Sequence, residues 1–189
     1  RGKYNNVTLI NSYVPTEEKN DDDKEKFYDD LQKTIDEVRK NDFVIILGDV
    51  NAKIGKEDAY ADISGKHTLH EVTNRNGEYL CEFATANNLI IMSTQFQHKM
   101  IHKGTWTSPD QSTVNQIDHV LVSKMKKELI EDVRSLRGPN VDSDHFIVRV
   151  TMKRVLPRIY HRKSNKAINW NKRNLQDPLK LRVTVKFKC

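Results

Sequence analysis

Five consecutive apolar residues, Phe43-Val44-Ile45-Ile46-Leu47, lead straight into Gly48-Asp49-Val50-Asn51. A run this short and unbroken is what a strand buried on both faces requires, because a sheet with one wet face would alternate apolar and polar side chains. Such a strand needs a layer on each side, and the rest of the chain supplies the material. Before it, Val7 to Tyr13 alternates well enough for a strand that Pro15 ends. Asp21-Asp22-Asp23 then stands ahead of Phe27, Leu31, Ile35 and Val38, a spacing that makes one apolar helix face with acids at its favourable N-terminal end. After it, a loop from Lys53 to Thr73 precedes a helix carrying Leu80, Phe83, Ala84 and Asn87, with Asn76 as its possible cap. Further strands are expected at Leu89 to Met92, Val114 to Val122, Val133 to Leu136 and Phe146 to Met152, with Trp106 in a short extended piece before the turn Ser108-Pro109-Asp110. Mixed strands and helices without repeats predict an α/β sandwich.

Charge divides the chain. From Arg154 to Cys189 there are eleven Lys and Arg against one acid, Asp177, whereas the remainder holds 21 basic and 25 acidic residues. The expected organisation is a domain over residues 1–154 and a basic tail or linker over 155–189. Such a tail suits a polyanionic partner, since Lys and Arg displace counterions from phosphate; a solvated linker is the other reading. Two cysteines, Cys81 in a helical pattern and Cys189 at the end, make no disulfide framework, which favours a reducing compartment, cytoplasm or nucleus. No apolar run is long enough to span a bilayer. Asn6-Val7-Thr8 matches a glycosylation sequon but reads as strand sequence. Arg1 leads almost at once into a strand, so the chain is expected to begin inside a domain.

Asp49 and Asn51 stand two apart at the end of the buried strand. On an extended chain, side chains at i and i+2 point the same way, so a carboxylate and an amide are expected to converge at the strand's C-terminal edge, where ligand sites gather in α/β folds. The carboxylate can hold a metal or activate water, and the amide can donate to a phosphoryl oxygen; the same letters also make good turns. Asp118, in Ile117-Asp118-His119, falls in an apolar strand and needs a partner, because an unpaired buried carboxylate is costly. Ser143-Asp144-His145 offers a histidine whose tautomer and charge a carboxylate would fix, or else a cap or turn. The triplet Asp21 to Asp23 is read as helix capping. His67 and His70, and His98 and His102, have the spacing of metal ligands on a helix, but loop-like sequence, Lys neighbours and the lack of a third ligand nearby favour surface contacts, nucleic-acid backbone included. Trp106 is read as packing rather than as a base-stacking platform.

Taken in order, Asn11-Ser12-Tyr13-Val14-Pro15-Thr16, Gly48-Asp49-Val50-Asn51-Ala52, Gln116-Ile117-Asp118-His119 and Ser143-Asp144-His145 resemble the endonuclease/exonuclease/phosphatase superfamily. Within it the chain is similar to endonuclease domains of non-long-terminal-repeat retrotransposons, the RTE group above all, and to the craniofacial development protein 2 group. The resemblance runs from about Tyr4 to Arg154 and includes Gly65 to His70 and Lys103 to Asp110. It implies a two-sheet α/β sandwich and a Mg²⁺-dependent phosphodiesterase, with Mn²⁺ as a possible substitute, acting on duplex DNA as an apurinic/apyrimidinic-like endonuclease. By the same resemblance Tyr13 contacts the scissile phosphate and Asp49 orients or deprotonates the attacking water. Asn51 stabilises the transition state, Asp118 orients His145, and His145 binds the phosphate or acts as base. Asp49, Asn51 and Asp144 are the implied metal shell.

The departures shape the expectation too. The superfamily completes its site with an Asn and a Glu from earlier strands, the Glu being the principal metal ligand. Neither is expected in this stretch, so the domain is expected to be incomplete at its N-terminus, impaired in catalysis and left with unpaired strand edges. Asn115 stands where repair enzymes place an aromatic residue, which favours nicking of undamaged DNA. Two other readings remain: a superfamily phosphatase of small phosphoesters, and a catalytically inactive domain retained for binding nucleic acid or protein.

Overall fold

The computed structural model describes residues 7–138 and 143–153, and the backbone of 184–186. Its elements are β1 (Val7–Tyr13), α1 (Asp21–Asp36), β2 (Phe43–Asp49), α2 (Arg75–Ala86), β3 (Leu89–Ile91), β4 (Trp106–Thr107), β5 (Val114–Asn115), β6 (Asp118–Ser123), β7 (Ile130–Leu136), β8 (Ile147–Met152) and β9 (Thr184–Lys186). Five strands form one sheet in the order β3-β6-β2-β1-β9; β4 pairs with β5, and β7 with β8. β2 runs parallel to β1 and antiparallel to β6.

The apolar run of β2 is buried on both faces, as its composition demands. Val44 and Ile46 face a core shared with Ile10, Leu89, Ile91 and Leu121 and with Tyr28 and Leu31 of α1 and Leu80 and Phe83 of α2. Phe43 and Ile45 face a second core shared with Ile90, Val120 and Val122 and with Ile130 and Val133 of β7. The α/β sandwich thus has helices on one side of the sheet and the β7–β8 pair on the other. Each well-buried side chain of this kind stabilises the fold by about 1.5–3 kcal/mol relative to an exposed one.

Several elements differ from the sequence expectation. Helix α1 starts where the acids are, capped by the Asn20 side chain, which accepts from Asp23 N at 2.9 Å, and ends at Asp36, leaving Val38 just beyond it. The cap of α2 is Asn74, whose Oδ1 accepts from Gly77 N at 2.9 Å; Asn76 lies inside the first turn, buried. The predicted strand Val114 to Val122 is broken. Gln116 turns inward, its side chain bonding Leu69 N and Ser93 O, so that β5 stops at Asn115 and β6 begins at Asp118. Val7 and Thr8 of the sequon-like triplet lie in β1 with Thr8 buried, and Asn6 is outside the described residues. Most of the basic tail and Cys189 are likewise outside them. The exception is β9, whose backbone pairs antiparallel with Thr8, Leu9 and Ile10 along the outer edge of β1. Among the described residues no helix is long and apolar enough to cross a membrane.

Candidate active site

The sheet register brings three side chains into one row. Tyr13 is the pairing partner of Asp49 across β1 and β2, and Asp49 of Asp118 across β2 and β6. All three have the alternation phase of the second core, so they face the side on which β7 and β8 pack. His145 arrives from that side, just ahead of β8. Its backbone bridges Trp106 of β4, and the flanking bonds Thr107 N to Asp144 O (2.9 Å) and Phe146 N to Thr105 O (2.7 Å) fix the approach.

The histidine spans the row. Its Nδ1 lies 3.0 Å from Asp118 Oδ2, and its Nε2 lies 3.9 Å from Asp49 Oδ2. A carboxylate on Nδ1 selects the tautomer with the proton there and leaves Nε2 toward Asp49 and the open face. Burial pushes the carboxyl groups of both Asp49 and Asp118 above the usual aspartate value. The nearby Asp144 charge adds to the rise at both, and bonds from the Asn51 backbone to Asp49 and from Thr105 to Asp118 oppose it. A carboxylate with a raised pKa takes a proton more readily at neutral pH than a free one does.

Asn51 reaches the site differently from the extended-chain expectation. Strand β2 ends at Asp49, and Asn51 takes a left-handed conformation with φ of 50°, which Asn tolerates better than most residues. The turn is closed by Asn51 N donating to Asp49 Oδ1 at 3.0 Å. The amide nitrogen then donates to Val14 O at 2.8 Å and reaches Asp49 Oδ2 at 3.4 Å. Both amide hydrogens therefore have acceptors inside the protein, and donation to a phosphoryl oxygen requires exchanging the longer of these contacts.

Tyr13, 69% exposed, stands open at the end of the row. Asp144 is exposed; the Trp106 indole N–H donates to its Oδ2 at 2.7 Å and holds its carboxyl below the usual range. Trp106 accordingly serves as a strap on Asp144 and is not fully buried core. Among the described residues no group of three His, Cys, Asp or Glu side chains is arranged to hold a metal ion. Of the expected shell of Asp49, Asn51 and Asp144, the Asp49 carboxylate accepts from Asn51 N and the Asp144 carboxylate from the Trp106 indole N–H.

The sequence reading missed the residues that brace this row. His119 is 1% exposed; its Nε2 donates to Ala52 O at 3.0 Å and its Nδ1 accepts from the Ser93 hydroxyl at 2.6 Å. Its alternation with Asp118 was the available signal, since it sends His119 to the opposite face. Thr105 Oγ1 accepts from the backbone N–H groups of Ile117 and Asp118 at 3.0 and 3.1 Å. His70, expected at the surface, has Nε2 accepting from Gln116 N at 3.1 Å, and burial lowers its pKa to about 4. His98 is no free surface contact either, because it pairs with Asp132 at 2.7 Å, which Arg134 also binds. His102 Nδ1 donates to Ser135 O at 3.1 Å.

A family model described as endonuclease-reverse transcriptase matches residues 7–149. Craniofacial development protein 2 of Bos taurus is 32% identical over 161 residues, covering 84% of this chain and 27% of that protein. The chain therefore spans little more than a quarter of that relative's length. Two solved structures share the fold. The 3′ phosphatase NExo from Neisseria, bound to a product DNA hairpin, aligns with a TM-score of 0.55 at 23% identity over 77% of this chain and 60% of that one. The endonuclease domain of TRAS1, a telomere-specific non-LTR retrotransposon, aligns with a TM-score of 0.54 at 17% identity over 81% and 58%. With a family match across most of its length and the fold of those enzymes, this chain belongs to the endonuclease-reverse transcriptase family of the endonuclease/exonuclease/phosphatase superfamily.

Proposed function

We propose that this domain hydrolyses phosphodiester bonds in duplex DNA, as an endonuclease of the retrotransposon type. The observation that carries the reading is the Asp118–His145–Asp49 chain, laid across two adjacent strands beside the exposed Tyr13. Asp118 holds the imidazole by Nδ1, so Nε2 is aimed at the space beside Asp49. Doubly protonated, the ring donates from Nε2 to a phosphoryl oxygen there and offsets its developing charge. Asp49 orients the attacking water and takes its proton. The water oxygen bonds to phosphorus as the bond to the O3′ leaving group breaks, and O3′ takes a proton from solvent, giving a 3′-hydroxyl and a 5′-phosphate. Tyr13 is placed to contact the same phosphate from β1. Nucleases of this superfamily generally depend on a divalent ion, here proposed to be Mg²⁺ or Mn²⁺, which when bound supplies a Lewis acid for the phosphoryl oxygens. The DNA hairpin held by NExo supports nucleic acid as the partner.

A second reading, favoured by the commitment of both Asn51 amide hydrogens to acceptors inside the protein, is a domain that binds nucleic acid and cleaves nothing. One assay separates the two. Supercoiled plasmid is incubated with this chain in Mg²⁺, in Mn²⁺ and in EDTA. The nuclease reading expects nicking that EDTA stops and that Asp49→Ala and His145→Ala each reduce by about 10²-fold or more. Binding without nicking, or nicking indifferent to both substitutions, overturns it.

A further inference from the structure

Asn76 is a side chain that the catalytic row does not use, yet it touches both loops that shape it. It sits in the first turn of α2 and is 1% exposed. Its single amide nitrogen donates to two backbone carbonyls, Pro15 O at 2.9 Å and Asn51 O at 3.1 Å. Pro15 follows β1, which carries Tyr13, and Asn51 closes the turn after β2, which carries Asp49. The two hydrogens of one planar amide thus tie together the ends of the neighbouring strands from which Tyr13 and Asp49 project.

The surroundings make this tie stiff. The Glu17 carboxylate accepts from Asn76 N and Arg75 N, both at 3.2 Å, and from Asn74 Nδ2 at 2.7 Å, which locks the segment after β1 onto the start of α2. Asn74 Oδ1 accepts from Lys53 N at 2.8 Å, locking the loop after β2 to the same point. Gly77 lets the helix approach that loop, since a Cβ there would stand 2.3 Å from Lys53 O. One further observation separates Asn76 from an ordinary core residue. Its Oδ1 is buried without a hydrogen-bond partner, a cost that an apolar side chain would avoid.

We propose that Asn76 is a positioning residue for the Asp49–Asn51 turn, setting where the Asp49 carboxylate points while touching no substrate itself. The proposal rests on the nuclease reading for its consequence in turnover, and on geometry alone for its consequence in the turn. Asn76→Asp keeps the shape but sets a carboxylate against two carbonyls; Asn76→Ser keeps one donor. Three quantities are measured for each variant of this chain: the nicking kcat, the Kd for a fluorescent duplex, and amide hydrogen exchange at Asn51 and at Leu121. The expected result is that kcat falls about 10²-fold in Asn76→Asp and less in Asn76→Ser, while Kd stays within about threefold. Asn51 N–H, which closes the turn onto Asp49, loses exchange protection, and Leu121 in the core keeps its own. Loss of kcat in proportion to loss of folded protein, or unchanged protection at Asn51 in both variants, overturns the proposal. If Asn76→Asp does not fold, Asn76→Ser decides by the same criteria. If the unsubstituted protein does not nick, the nuclease reading fails, and exchange at Asn51 still decides whether Asn76 sets the turn.

Discussion

The fully buried His119 makes a prediction whose size follows from its surroundings. Its ring nitrogens are committed to Ala52 O and the Ser93 hydroxyl, and burial lowers its pKa from 6.5 to about 4, with the charge of His70 adding to the depression. In the unfolded chain the ring should titrate near its ordinary value of about 6.5. Between those two values the unfolded state binds a proton that the folded state refuses, so stability falls as pH drops below about 6.5 and stops falling from this source near 4. A shift of that width corresponds to about 3 kcal/mol, at up to about 1.4 kcal/mol per pH unit. His70 adds a contribution of the same sign, reduced by its partial exposure, whereas the raised pKa values of Asp49 and Asp118 act in the opposite direction. The substitution His119→Gln isolates the histidine, because Gln can still donate toward Ala52 O and accept from Ser93 but carries no titrating ring. Urea unfolding followed by tryptophan fluorescence, at half-unit steps from pH 7 to 4, gives the two stability curves. The original protein should lose about 3 kcal/mol more than the variant across that range. Parallel curves would refute the argument that His119 is buried neutral.

Two further outcomes test the frame. Leu121→Ala, at a fully buried position in the centre of the sheet, should cost about 3 kcal/mol and lower the melting temperature by roughly 6–12 °C, measured by circular dichroism; a shift under about 2 °C would place Leu121 outside a packed core. Gly48→Ala should be worse than its single methyl suggests, because Gly48 has φ of 138° and a Cβ there would lie 2.1 Å from Ser12 O of the neighbouring strand. A loss of at least about 2–3 kcal/mol is expected, and retention of the original unfolding midpoint would contradict the strand spacing.

The sheet was legible because its signals are local. The unbroken run from Phe43 to Leu47 fits a strand covered on both faces, which it is, and the spacing of Phe27, Leu31 and Ile35 marks a helix face without reference to anything distant. The pairing of Asp118 with His145 was anticipated from motif order, and its geometry comes from a register that no single segment encodes. What stayed hidden was the bracing. Asn74 and Asn76 have the same side chain two residues apart, yet one caps the helix and the other reaches back to Pro15 and Asn51; only the folded positions of those carbonyls tell them apart. His70 and His98 read as surface groups because they fall in loop-like sequence with lysines near and no third ligand, whereas their partners, Gln116 and Asp132, lie more than thirty residues away. Asn51 was placed on an extended chain, and its left-handed turn was missed because Asn suits either conformation.

The row formed by Tyr13, Asp49 and Asp118 also restricts how this domain can change over time. Each side chain is where it is because an odd or even count along its strand sends it to the β7–β8 side. Deleting or inserting one residue within β2 would put Asp49 out of phase with Phe43 and Ile45, so that either the carboxylate or the packing residues ahead of it would face the wrong layer and the site and the core could no longer both form. The same change in the segments linking the strands leaves every count intact. Length variation among relatives should therefore collect in those links and stay out of β1, β2 and β6, and a homologue with an odd-length indel inside one of those strands should have lost both its carboxylate row and its fold.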